Sequence, residues 1–93
     1  AMDIRGIQFL EDVSWDSGRD SVVFYAQIGR KKIPCAVGKN TLNDYFQTKN
    51  TKANALDNFQ THTKKIQNIA KKLIAEDLFD DNNEVVIFTE DLV

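Results

Sequence analysis

Cysteine, histidine and proline each occur once in this 93-residue chain, and glycine four times. A lone Cys35 cannot form an intramolecular disulfide, and with a lone His62 it cannot supply the thiolate and imidazole ligands of a zinc site. A reducing cytoplasm, with no metal and no cofactor, is the expectation. The longest apolar runs are Val22-Val23-Phe24-Tyr25-Ala26 and Val85-Val86-Ile87-Phe88. Both fall far short of the ~20 residues that span a bilayer. The first residues, with Asp3, Arg5, Glu11 and Asp12, lack a signal peptide's hydrophobic stretch. The chain therefore reads as soluble, with no membrane partner. It has no repeat and no Pro/Gly-rich linker, and its length predicts a single domain over residues 1–93. Ala1 ahead of Met2 reads as the remnant of an expression tag. Neither a Gly-rich phosphate loop nor a serine in a nucleophile-elbow pattern is present.

Charge is plentiful but segregated. The net charge is -2, yet residues 1–29 hold two basic and five acidic side chains, residues 30–75 ten basic and two acidic, and residues 76–93 seven acidic and none basic. A basic block between acidic flanks leaves room for a local anion-binding face, while the balance argues against a constitutive nucleic-acid binder.

Residue patterning predicts β-β-β-α-α-β. Ile7-Gln8-Phe9 reads as a short strand, and Trp15-Asp16-Ser17-Gly18 as a turn in which Asp16 bonds its own backbone and Gly18 takes positive φ. Ser21–Ile28 and Lys32–Val37, broken at Gly29-Arg30, form a hairpin. Pro34 cannot donate to a ladder, so the second strand is expected to be an edge or bulged there. After Gly38 the apolar period becomes helical. Thr41-Leu42-Asn43-Asp44 has the form of a capping box opening a short helix through Tyr45-Phe46. A second helix, capped by Asn54 with Asp57 or by Thr51 one turn earlier, runs unbroken to Ala75 on the stripe Leu56, Phe59, Ile66, Ile69, Ala70 and Leu73. Carboxylates from Glu76 onward oppose the helix dipole and end it. Glu84–Thr89 is a last strand, apolar enough for burial on both faces. The expected fold is α+β, a small antiparallel sheet of three N-terminal strands and one C-terminal strand with a short and a long helix.

Several residues could carry chemistry. Cys35 and His62 are the one nucleophile and base pair available to a small hydrolase, but a thiol within an apolar strand and a His beside a helix stripe read as structural, so no catalytic residue is assigned. A calcium loop starting at Asp80 fails because Val85 stands where the sharp turn needs glycine. Lys64, Lys65, Lys71 and Lys72 recur at spacings of one and seven and fall on one side of the helix, a footprint suited to phosphates. Without arginine or interleaved aromatics there, a solvated face is the favoured reading. Trp15, Asp16 and Arg19 form a further candidate interaction constellation, read as an indole lid on the core with an ion pair pinning the turn.

Trp15-Asp16 with Arg19, Val22, Phe24 and Ala26, then Gly29, Ile33-Pro34-Cys35-Ala36, Leu42 with Phe46, Phe59-x-x-His62, Ile66, Ala70 and Thr89-x-Asp91-Leu92 resemble a family of short bacterial proteins. That family is the domain of unknown function 1488, and the likeness runs from Ile7 to Leu92. Gln47 and Thr63 depart from the pattern. The resemblance implies a small α+β domain with no established activity. The function expected is a non-enzymatic module binding an unknown protein, or self-associating through the edge near Pro34 or through Trp15. The alternative is weak nucleic-acid or polyanion binding by the lysine face.

Overall fold

The structure, a computed structural model, describes residues 3–93, so the reading of Ala1 lies outside the described residues. The elements follow as β1 (Gln8–Asp16), β2 (Ser21–Ile28), β3 (Lys31–Gly38), α1 (Lys39–Tyr45), α2 (Lys52–Thr61), α3 (Thr63–Ala75), β4 (Val85–Ile87) and α4 (Thr89–Leu92). The class is α+β, with helices between β3 and β4. The sheet has the order β1-β2-β3-β4. It is mixed rather than antiparallel: β1, β2 and β3 pair antiparallel, but β4 joins β3 in parallel. The helical excursion between those two strands is long enough to return the chain in the same direction, as a parallel pairing requires.

β1 is far longer than the expected Ile7–Phe9. Phe9 lies opposite Ala26 and Val13 opposite Phe24, so Leu10, Glu11 and Asp12 face a single Tyr25. That bulge destroys the period-2 signal, which is why the sequence reads as a strand only before it. Trp15 and Asp16 consequently belong to the strand and not to the turn. Asp16 does organise the turn as expected, its Oδ1 accepting the Gly18 N–H at 3.0 Å and the Arg19 N–H at 3.3 Å. Positive φ falls on Asp20 (46°) instead of Gly18. Gly29, at φ 58°, opens the two-residue loop of the next hairpin with the handedness that twisted strands need. Pro34 pairs with Tyr25 on one side, and on the other β4 matches only Cys35–Val37. Its missing N–H therefore falls just beyond β4, although β3 itself is interior to the sheet.

Val22, Phe24, Ala26, Ile33, Cys35, Val37, Val85 and Ile87 alternate onto one face and are buried against Leu42, Ala55, Phe59, Ile66, Ala70, Leu73, Ile74 and Leu92. The intervening Val86 is only half-buried, so β4 is covered on one face rather than two. The expected last strand Glu84–Thr89 is shortened to Val85–Ile87, because Thr89 opens the unexpected helix α4, and the helices differ from expectation in two further places. α1 starts at Lys39 with Gly38 as N-cap and no side-chain cap, because Asp20 O already accepts the Lys39 N–H at 2.8 Å. Thr41 thus lies inside the helix and caps nothing. The long helix is kinked at His62 into α2 and α3. Thr63 donates its hydroxyl back to Phe59 O at 2.7 Å, a bond that bends helices, while the His62 ring stacks on Phe46 at 3.9 Å between centroids. Phe59, Ile66 and Leu73 are nonetheless buried on a common side. Thr51 is the cap of α2, its hydroxyl accepting the Asn54 N–H.

The connection between α1 and α2 is held by amides. Asn43, 1% exposed, donates to Asn50 Oδ1 and Thr51 O and accepts from the Thr48 hydroxyl and the Asn58 amide. All of its side-chain bonding capacity is used, which is what burial of an amide demands.

Candidate functional site

The chain leaves α3 through a left-handed residue. Asp77, at φ 57°, donates its N–H to Ile74 O, and Leu78 donates to Leu73 O at 3.0 Å. These two bonds are a Schellman ending, here with Asp where glycine is usual. Such an ending brings the residue after the turn over the last helical turn, and Leu78 and Leu73 line one groove. Asp80 next closes a tight loop. Its Oδ1 accepts the N–H groups of Asn82 and Glu84, both at 2.9 Å, and Asn83 takes positive φ. The loop delivers Glu84 to Arg19, whose guanidinium donates to both carboxylate oxygens at 2.6 and 3.0 Å and to Asp16 Oδ2 at 2.8 Å. A two-pronged guanidinium–carboxylate pair fixes direction as well as distance, so it sets where β4 begins. Glu84, then Asp16, hold the Arg19 proton more tightly than usual, and Arg19 holds the Asp16 carboxyl below the ordinary carboxylate range.

Beyond β4 the chain turns at Phe88, whose N–H is accepted by Asp91 at 2.8 Å. The result is a groove of about 430 Å³ at the β4 edge, lined by Leu73, Leu78, Phe79, Asp80, Val86, Phe88 and Asp91. Leu78 is 53% and Phe88 55% exposed. A smaller cleft beside it, of about 160 Å³, adds Glu76 and Glu90 to the rim. The floor is apolar and the surroundings are acidic. Of the residues singled out from the sequence for chemistry, only Asp80, where the rejected calcium loop would begin, lines this groove. Its signal was present in the excess of carboxylates after Ala75 interrupted by Leu78, Phe79 and Phe88, but an acidic run reads first as a solvated loop.

The sequence candidates lie elsewhere. Trp15 is half-buried against the core with Lys52 Nζ 5.4 Å from its ring, so it forms a lid as read. Asp16 and Arg19 are paired as read, and Glu84, 65 residues further along the chain, is a partner that no local pattern reveals. Of the lysines, Lys64 is exposed and Lys71 half-buried. Lys65 donates to the Tyr45 hydroxyl at 2.8 Å and lies 4.8 Å from that ring's centre. Lys72 shares the small cleft with Glu76, Glu90 and Asp91. The four are thus not equivalent members of one free face. Cys35 Sγ contacts Ile33 O at 3.7 Å, and burial pushes its thiol up to about 12, whereas His62 is occupied by Phe46. No helix of the described residues is long and apolar enough to cross a membrane.

A crystal structure of a protein of unknown function from the DUF1488 family, from Shewanella loihica PV-4, superposes with a TM-score of 0.85 at 28% identity, covering 95% of this chain and 97% of that one. A comparison with curated proteins gives no match. The family described as "Protein of unknown function (DUF1488)" matches residues 7–87, which takes in all four strands and the three helices between β3 and β4. The chain belongs to that family.

Proposed function

We propose that this chain is a non-enzymatic protein-binding module of a reducing, cytoplasmic compartment, and that its working surface is the groove at the β4 edge. One observation carries this reading. Leu78 and Phe88 are two large apolar side chains more than half exposed around one shaped hollow, and neither belongs to the core. Exposed apolar clusters rimmed by polar groups mark binding sites more often than they serve stability. The lack of a catalytic role fits the chemistry of the two residues that could have supplied one. A thiol whose ionisation is suppressed by burial is a poor nucleophile, and its hydrogen bond runs to Ile33 O, while the His62 imidazole stacks on Phe46.

Photo-cross-linking inside the protein's own cells tests the reading. A benzophenone side chain at position 88 should give a discrete protein adduct that survives nuclease and is lost on Leu78→Ser. The same label at position 71, on the lysine-bearing helix, should give none. Adducts only at position 71, or adducts removed by nuclease, would replace this reading with the polyanion-binding one.

A further inference from the structure

We infer that the occupant of the β4-edge groove is a basic amphipathic polypeptide segment from another protein, one that places apolar side chains between Leu78 and Phe88 and lysine or arginine against the surrounding carboxylates. The inference rests on the groove being the working surface and adds what fills it.

Charge supplies the first argument. Residues 76–93 carry seven acidic and no basic side chains. Asp80 and Asp91 use an oxygen each on backbone N–H groups, and both line the groove itself. Glu76 and Glu90 stand on the adjoining cleft, where Lys72 is the one cation, and Asp81 is exposed in the loop between. Among the described residues, Glu76, Asp81 and Glu90 make no ion pair. Such a rim repels nucleic acid and anionic membrane surfaces and attracts a cationic chain.

A second copy of this chain is the obvious rival, and the same surface argues against it. A symmetric contact would set the acidic rim against itself, which is repulsive. A head-to-tail contact could bring the lysines of α3 to the rim, but that helix has nothing to fill the groove. The large exposed apolar side chains of the described residues are Val13, Leu78, Phe88 and Val93, and none lies on α3. The hairpin tip, with Arg30, Lys31 and Lys32 exposed beside half-buried Ile28 and Tyr25, likewise carries no large exposed apolar side chain, so positive charge and a protruding apolar group do not coincide at either basic patch of the described residues. They are found together in basic amphipathic segments of other proteins.

Selection of random-sequence displayed peptides on the immobilised full chain tests this directly. Enriched peptides should combine lysine or arginine with apolar residues, and binding of a synthetic representative should weaken by at least about tenfold with Leu78→Ser or Phe88→Ser, as expected for central anchors. Asp81→Asn with Glu90→Gln, which spare the structural bonds of Asp80 and Asp91, should weaken it several-fold and reduce its salt dependence. Equal melting temperatures of the variants would show that folding is unaffected. Enrichment of acidic or purely apolar peptides, indifference to all four substitutions, or concentration-dependent dimerisation abolished by Phe88→Ser would overturn the inference. If position 88 still cross-links to a partner whose contacting segment is acidic or neutral, only the identity of the occupant falls. If position 88 cross-links to nothing, the groove itself is not the working surface.

Discussion

The two edges of the sheet carry hollows of similar size and opposite construction. Beside β1, a groove of about 470 Å³ runs between Phe9, Leu10 and Val13 on the strand and Leu56, Phe59, Gln60, Thr63 and Gln67 on the kinked helix pair. Part of its floor is core, Phe59 being 4% exposed with its ring 5.1 Å from that of Phe24, while Val13 on the strand side is 45% exposed. The strand edge above is guarded by a bulge and by Glu11 and Asp12, devices that stop a free edge from pairing with copies of itself. Beside β4, the hollow is bounded by Leu78 and Phe88, side chains that the core does not use. Volume alone therefore says little about purpose. What separates the two is the anchors they present: two large side chains more than half exposed at β4, against Val13 as the one large exposed apolar side chain at β1.

That contrast is sharpest in stability. Phe59→Ala should cost about 3–5 kcal/mol, because it removes a ring packed on β2 and leaves a cavity at the α2–α3 kink. Leu78→Ala should cost less than about 1 kcal/mol, since half of the side chain already meets water. Denaturant unfolding of both variants measures the difference. A cost for Leu78→Ala approaching that of Phe59→Ala would make Leu78 a core residue and remove the distinction between the two edges.

What the sequence revealed follows the same division. Interior positions of the hairpin were legible because strict alternation and β-branched residues leave one solution: Val22, Phe24 and Ala26 opposite Val37, Cys35 and Ile33. The stripe through Phe59, Ile66 and Leu73 was legible across the kink because a one-residue distortion hardly rotates the helix face. The kink itself was not, since it depends on the Thr63 hydroxyl and on Phe46 meeting His62 from another helix. Nor was the direction of β4, which is decided by the path of the whole crossover and by a contact between Arg19 and Glu84, 65 residues apart. The candidate site was the least visible part. Its residues form no motif, and Leu78 and Phe88 converge only because one ends a helix and the other leaves a strand.

Between the edges, Cys35 on β3 offers a test of how tightly the middle of the sheet is sealed. Burial raises its thiol from 9.0 to about 12, so the folded chain retains a proton that the unfolded chain loses first. This contribution is fully present below pH 9 and is lost as pH rises from 9 towards 12, at up to about 1.4 kcal/mol per pH unit. The difference in unfolding free energy between the native chain and Cys35→Ala should therefore shrink across that window. Thiol reagents at neutral pH should modify the folded protein slowly, and equally slowly in His62→Ala. Fast labelling that depends on His62 would show an opened, base-assisted thiol and a sheet far less sealed than its edges.

The smallest effect is expected from the lysines. Replacing Lys64, Lys65, Lys71 and Lys72 with Gln should change stability by under about 0.5 kcal/mol per site, with Lys65 the most sensitive because of its bond to Tyr45. Four free lysines acting together on a phosphate backbone would produce a logarithmic salt slope of roughly -3 to -4. Here Lys65 is held over an aromatic ring and Lys72 stands among Glu76, Glu90 and Asp91, so a polyanion approaching α3 meets carboxylates at one end of the helix. Duplex and single-stranded oligonucleotides should bind no tighter than about 10 μM at physiological salt, within the non-specific range. Titration at two salt concentrations decides the matter. Submicromolar, salt-sensitive binding that disappears in the four-Gln variant would move the working surface from the acidic edge of the sheet to the basic helix.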